Sequence, residues 1–511
     1  MSYIKNIPFE KKLYQLIVTR LNGNNITNKS YCKKIEKLIR KGIGGFILFG
    51  GLRNGIENFI KKIQSISELT LLIASDIERG VGQQINGTTI FPCQMAVSAA
   101  IKREKNKDIL LLHRVLKAII NEAKAVGINM PLIPVMDINQ VPDNPIICTR
   151  AFSDNAENVS WLGREYIKSI EKSGLISCAK HFPGHGDTSI DSHIALPVIR
   201  KTYNDLITND IIPFKAAIHA GVSSIMVGHL SIPSIDKKPA SLSEKIIKGL
   251  LRYRLGFQGL VITDALTMNA LKGIKDISGK CIKAGNDILL HPVDPDLTVK
   301  EIMVALDTKM ITEKDIDRAV KRILKIKQKI RTSKTIGFDY ENHLKLSSLI
   351  IEKSITLVKN TPKILPLTDE QNISIIFAGD ETFFSFVPLY DSYKNIFSLR
   401  RQGGFNLEIV KEVGSGSLSD IIILIIFSSI SAWKGSSGLL EDEKKIIQRL
   451  IKKAKKSVVV SFGNPYILNY FQKADILIAA YDISEQAQIA VKNCLVGKRE
   501  FQGRLPVNIN V

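Results

Sequence analysis

No stretch of this sequence offers the roughly 18 consecutive apolar residues that an ordinary membrane-spanning helix requires, which excludes that class. Aromatic residues amount to only 7%, with two tryptophans, and no base-stacking motif of the RNA-recognition kind is present. The six cysteines (Cys32, Cys93, Cys148, Cys178, Cys281 and Cys494) are scattered, with no CxxC or paired spacing. Reduced thiols in a cytoplasmic enzyme are therefore expected rather than a disulfide framework. The opening segment MSYIKNIPFEKKLYQLIVTRLNG mixes charge with apolar residues and has no long apolar core followed by a small-residue cleavage site, so no export signal is expected. Internal repeats and low-complexity tracts are also absent.

What is present is a composition suited to packed cores. Over 511 residues, 45% are hydrophobic and 23% charged, which excludes a largely disordered chain. At ~100–200 residues per domain, with α/β barrels running longer, two domains are the natural expectation. Lys and Arg number 71 against 49 Asp and Glu, a net charge of +22. Phosphate neutralisation needs clustered cations. Here the lysines are spread over predicted helices (Lys321, Lys325, Lys327, Lys329), so they read as solvated faces, and no nucleic-acid partner is expected. A basic field still attracts an anionic substrate.

Short runs of Ile, Val and Leu recur between stretches of helical periodicity: LIVT (16–19), GFILF (45–49), LLIAS (71–75), INMPLIPV (128–135), LISCAK (175–180), SSIMVG (223–228), LVIT (260–263) and DILLH (287–291). Runs apolar on both faces and alternating with helices indicate parallel strands from βαβ units. Eight of them predict a (β/α)8 TIM-type barrel over residues 1–330. An open doubly wound sheet is the alternative, but no GxGxxG follows the first strand. Thr312 and Asp315 form a cap-like T-x-x-D, and Ile316, Val320, Ile323 and Leu324 continue at helical spacing, predicting a closing helix. Residues 331–345 read as a linker. SITLV (354–358), NISIIFAG (372–379), DIIILIIF (420–427), SVVVSFG (457–463) and ADILIAAY (474–481) then predict a smaller α/β sandwich over 346–511.

In a barrel, chemistry sits at the C-terminal ends of the strands. The residues ending the runs are Asp76, Lys180 and His181, His229, and Asp264, with Arg150 on the loop beyond the fourth strand. A lone Asp after a strand is usually a helix cap or turn residue, and Asp264 taken alone reads that way. Convergence of several titratable groups on one barrel end is harder to explain so. The densest segment, AKHFPGHGDTSIDSHIALP (179–197), gathers Lys180, His181, His185, Asp187, Asp191 and His193 around Gly184 and Gly186. Three readings stay open. The imidazoles and carboxylates are suitable metal ligands, though without a helical HExxH register. They could also satisfy one another as a structural loop. Or Asp191 could orient His193 as a carboxylate orients a catalytic imidazole. His229 reads as a satisfied strand-end histidine, Asp236 as a turn residue and Trp161 as helix packing. His113, His219, His291 and His343 read as structural or surface groups.

The run K-H-F-P-G-H-G-D-T-x-x-D-S-H-x-x-L-P (180–197) resembles the signature loop of glycoside hydrolase family 3 β-N-acetylhexosaminidases. Residues 127–152 (GINMPLIPVMDINQVPDNPIICTRAF) resemble that family's approach to its substrate-binding Arg, and 242–268 resemble the helix and strand carrying its nucleophile. GNPYIL (463–468) and GRLPV (503–507) resemble the second domain of its longer bacterial members. The resemblance implies Asp264 as nucleophile, His193 as general acid/base assisted by Asp191, and Asp76, Arg150, Lys180 and His181 as ligands of the sugar hydroxyls, with His185 shaping the site. It further implies a retaining exo-β-N-acetylglucosaminidase acting on peptidoglycan-derived muropeptides, with no metal or cofactor, since relay and nucleophile are both side chains. A β-glucosidase or phosphorolytic variant, and a non-catalytic sugar-binding protein, are the alternatives. The sequence departs from the family's D-x-E-G-G at Asp76-Ile77-Glu78-Arg79-Gly80, and no second acid follows Asp264.

Overall fold

The computed structural model describes residues 7–510 except 332–337, 362–363, 369, 384–394, 400–418 and 431–437. The described residues form two compact units.

The first unit comprises residues up to 91, 113–138 and 156–344. Its strands are β1 (Ile17–Asn22), β2 (Gly45–Phe49), β3 (Leu72–Ser75), β4 (Met130–Pro131), β5 (Cys178–Phe182), β6 (Ser224–Val227), β7 (Ser231–Ile232), β8 (Asp236–Pro239), β9 (Leu260–Thr263) and β10 (Leu289–Leu290). Two parallel sheets run in the orders β10-β1-β2-β3-β4 and β5-β6-β9. Parallel bridges Val135–Lys180 and Ile262–Ile288 join β4 to β5 and β9 to β10, so the two sheets close into one eight-stranded barrel. All eight predicted runs supply these strands. β7 and β8 form an antiparallel hairpin outside it.

The closed ring is filled from within, as a TIM-type barrel requires. Val18, Ile47, Leu72, Met130, Cys178, Met226, Ile262 and Leu290, one from each strand, pack in a single cluster that also contains Ile323 and Ile326. The last two come from the helix Glu313–Lys327. It starts at the predicted Thr312–Asp315 capping box and lays its apolar stripe against the barrel. Bonding two of the four orphan amides at the helix start fixes where this helix begins.

The second unit comprises residues 92–112, 139–155 and 345–511. Its sheet has the order β11-β16-β15-β14-β12-β13, with β11 (Thr356–Asn360), β12 (Ile373–Gly379), β13 (Asn395–Ser398), β14 (Ile421–Ser428), β15 (Lys456–Gly463) and β16 (Ile476–Ala479). β11 runs antiparallel to β16, and the other pairs are parallel. Period-two alternation divides the side chains. Ile422, Leu424 and Ile426 enter one apolar cluster, and Ile421, Ile423 and Ile425 the other. A sheet covered on both faces is why DIIILIIF is apolar throughout.

Five of these strands match predicted runs. The sixth, β13, is a short edge strand (NIFS) whose partly exposed side chains carry too little periodicity to mark it. Residues 92–112 and 139–155 precede position 330 in the chain but pack in this unit. The helix Gln94–Ala100 places Met95, Ala96 and Ala99 in the same cluster as Leu424 and Val459.

Candidate active site

Several strand tips of the barrel deliver polar residues to one end, because the strand's last side chains leave the packed interior while the backbone is still held by the ladder. Asp264 follows β9, and its amide donates to the Val227 carbonyl of the neighbouring strand at 3.0 Å. One carboxylate oxygen accepts the Ala265 amide at 2.7 Å. Burial alone would raise this carboxyl. The imidazoles of His181, His229 and His193, with the Ala265 amide, outweigh burial and hold it below the ordinary carboxylate value. The side chain is therefore an anion at neutral pH, with three histidines close enough to act on it.

The 179–197 segment is docked rather than loose. Asp191 is buried, and its Oδ1 accepts both the His193 amide (2.9 Å) and His193 Nδ1 (2.8 Å). Because a carboxylate only accepts, this pairing places the imidazole proton on Nδ1 and turns Nε2 outward. The His193 side chain keeps 24% of its surface exposed while that of Asp191 keeps none, so the dyad opens to solvent on the imidazole side. Amides of Asn269 and Ala270, on the loop after Asp264, donate to the carbonyls of His193 and Ser192 at 3.4 and 3.3 Å. The loop carrying the imidazole and the loop following the aspartate are thus bonded to each other. At the far end, Lys201 Nζ meets Asp210 (2.8 Å) and Asp187 (3.4 Å).

Lys180 is buried between two carboxylates, with Nζ 2.7 Å from Asp76 Oδ1 and 2.7 Å from Glu78 Oε1. Glu78 is buried and Asp76 partly exposed, so Asp76 presents the accessible edge of this triad. His181 Nδ1 lies 2.7 Å from Asp137 Oδ2. His185 Nε2 meets Ser192 Oγ at 2.9 Å, and burial, reinforced by His181, pushes this histidine down to about 4, so it stays neutral. His229 is buried, with Nδ1 on Ser241 Oγ (2.7 Å) and Nε2 on the Ala265 carbonyl (3.2 Å), and burial lowers it too. Asp236 accepts from the Ser243 hydroxyl and the Lys238 amide within its turn, and Trp161 is buried on the helix Ala156–Lys172.

The barrel unit therefore brings together Asp264, His193, Asp191, Asp76, Lys180 and His181. Arg150 lies in the second unit, on the turn Cys148–Arg150, where its Nη1 donates to the Ile146 carbonyl at 2.9 Å. Arg79 directs its Nε to the Phe91 carbonyl at 3.2 Å, while its own carbonyl accepts the Phe91 amide at 2.7 Å. It pins the loop 79–91.

Two residues were missed in the sequence reading, Glu78 and Asp137. Both stand just past apolar strand runs, the position that singled out Asp76 and Asp264. Among the described residues no group of three or more His, Cys, Asp or Glu has the arrangement of a metal site. The histidines instead take carboxylate, hydroxyl and carbonyl partners.

Residues 9–326 match the glycosyl hydrolase family 3 N terminal domain. The chain is 28% identical to beta-hexosaminidase A of Pseudoalteromonas piscicida, over 93% of this chain and 90% of that protein. It is 31% identical to a beta-N-acetylglucosaminidase/beta-glucosidase of Cellulomonas fimi, over 64% of this chain and 61% of the other. Among solved structures, a glycoside hydrolase family 3 beta-N-acetylglucosaminidase from Paenibacillus sp. str. FPU-7 superposes with a TM-score of 0.82 at 28% identity, covering 99% of this chain and 100% of that one. With a closed parallel barrel, an aspartate anion at one strand tip and a carboxylate-held imidazole on the loop bonded beside it, the chain belongs to glycoside hydrolase family 3.

Proposed function

We propose that this enzyme is a retaining exo-β-N-acetylglucosaminidase. Glycosidic cleavage passes through an oxocarbenium-like state that needs an anion at the anomeric carbon and a proton on the departing oxygen. In this reading Asp264 attacks to form a glycosyl-enzyme. As Asp264 attacks, His193, protonated on both nitrogens, gives its Nε2 proton to the leaving group, and the neutral imidazole that results takes a proton from the incoming water. Asp191 stabilises the imidazolium that is present before the first half-reaction and regenerated by the second. Lys180, Asp76 and His181 hold the sugar's hydroxyls. The observation that carries the proposal is the buried Asp191 clamping His193 on a loop hydrogen-bonded to the one that follows Asp264.

An imidazole in the acid/base role can both give and accept a proton, whereas a carboxylic acid there would need strong burial. The net charge of +22 suits an anionic glycan, and muropeptide fragments of peptidoglycan are the substrates we assign. Cysteines without disulfide partners suit a cytoplasmic, reducing setting. The double name of the Cellulomonas fimi relative supports β-glucoside cleavage as a second reading.

Aryl N-acetylglucosaminide and aryl glucoside, each with and without phosphate, separate the readings. N-acetylglucosamine released in water without phosphate dependence is expected. A strict phosphate requirement would refute the hydrolase assignment, and turnover of the glucoside alone would refute the N-acetylglucosaminide specificity. A mechanism-based 2- or 5-fluorosugar should label Asp264 on peptide mapping, and a label on any other side chain would remove it as nucleophile.

A further inference from the structure

Asp137 is fully buried just past β4, with no substrate-facing surface of its own. It nevertheless accepts from three N–H donors of the 180–185 segment, the His181 amide being shared with Oδ2 at 3.3 Å. Oδ1 accepts the amides of His181 (3.1 Å) and His185 (2.8 Å), and Oδ2 accepts His181 Nδ1 (2.7 Å). Burial would raise its carboxyl, but the imidazole of His181 foremost, then His185 through its side chain and its amide, hold it below the ordinary value. An ionised carboxylate has no proton to donate, so the Nδ1 of His181 must carry one.

We propose that Asp137 is a positioning residue for the sugar-binding site, fixing His181 with its proton on Nδ1 so that Nε2 is the atom offered to the sugar. The proposal rests on the assignment of His181 to substrate binding made above. The geometry repeats, on a neighbouring strand, the arrangement of Asp191 and His193: a carboxylate takes both the backbone amide and Nδ1 of one histidine. Here both members are buried, so Asp137 fixes a binding group where Asp191 serves a proton-transfer group. The two backbone bonds also set where the chain turns after β5, which carries His185 to Ser192 and hence toward the acid/base loop.

Asp137→Asn tests the proposal with the whole chain and an aryl N-acetylglucosaminide. The amide oxygen still accepts the two backbone N–H groups, so the turn is retained. The amide nitrogen, a donor, faces Nδ1 and drives the His181 proton to Nε2. Loss of a hydrogen bond to a charged group predicts a fall in kcat/KM of roughly 10–100-fold, carried mainly by KM. In the His181→Ala background the same substitution should change kcat/KM less than about threefold. Equal losses in both backgrounds would show that Asp137 does not act through His181 and would overturn the proposal. So would an unchanged KM in the single variant.

Should Asp137→Asn fail to fold, 15N-histidine NMR of the wild-type enzyme, assigned by comparison with His181→Gln, reads the proton directly. Nδ1–H on His181 supports the proposal and an unprotonated Nδ1 refutes it. Wild-type protein inactive on every glycoside would instead sink the enzymatic reading, while leaving the NMR result to decide the role of Asp137.

Discussion

Replacing Lys327 with methionine should stabilise the barrel, and more so in acid than in base. Lys327 ends the closing helix, is buried, and gives its Nζ to Gln15 Oε1 at 2.9 Å. Burial pushes its ammonium down to about 7, against 10.5 for an exposed lysine. Because the folded value is the lower one, the unfolded chain binds more protons between pH 7 and 10.5, and stability rises with pH across that window. The cost is fully present below pH 7 and fades as pH approaches 10.5. At about 1.4 kcal/mol per pH unit it amounts to roughly 5 kcal/mol at pH 6 and about 2 kcal/mol at pH 9.

Methionine keeps the linear shape and removes the charge. It also strands the Gln15 carbonyl, which costs about 1–3 kcal/mol at either pH. The gain should therefore be about 2–4 kcal/mol at pH 6 and near zero at pH 9. Guanidinium denaturation of both proteins at the two pH values measures this, and other titrating groups cancel in the difference. A pH-independent difference, or a variant less stable than wild type at pH 6, would refute the reasoning that burial of an ammonium governs this site.

Three further outcomes follow from the same structure. His193→Ala should slow glycosides with poor leaving groups by about 10²–10⁴-fold while largely sparing activated aryl glycosides; equal slowing of both would count against the acid role. Asp287 is buried between Arg252 (2.6 Å) and Arg322 (2.9 Å), and its removal leaves two uncompensated guanidinium groups. Asp287→Ala should then cost about 3–5 kcal/mol in a denaturation experiment, and a loss under 1 kcal/mol would contradict this. Arg79→Gly, which restores the residue more usual in the family, should leave kcat/KM within about threefold and lower stability by about 1 kcal/mol, because its guanidinium bonds the Phe91 carbonyl. A tenfold change in KM would place Arg79 in the sugar site instead.

Much of this enzyme is readable along the chain. Strands buried on both faces must be apolar throughout, so the eight barrel runs and LIIF-type strands of the second sheet stand out wherever they occur. The capping box at Thr312 and Asp315 is a local bond between residues three apart, and sequence spacing alone reveals it. The pairing of Asp191 with His193 is equally local. Pairings between residues far apart in the chain stayed hidden. Asp137 stands 44 positions before His181 and Asp76 stands 104 before Lys180, and only barrel closure brings their strand tips side by side.

Sequence by itself therefore determined the barrel, the family, and the strand tips where polar groups gather, because periodicity and local hydrogen bonding are written in neighbouring residues. Tertiary structure alone decided that residues 92–112 and 139–155 pack with the second unit, since contact between distant segments leaves no periodic trace. It also decided which carboxylate serves which imidazole. That choice depends on the burial and orientation each side chain acquires once the ring of strands has closed.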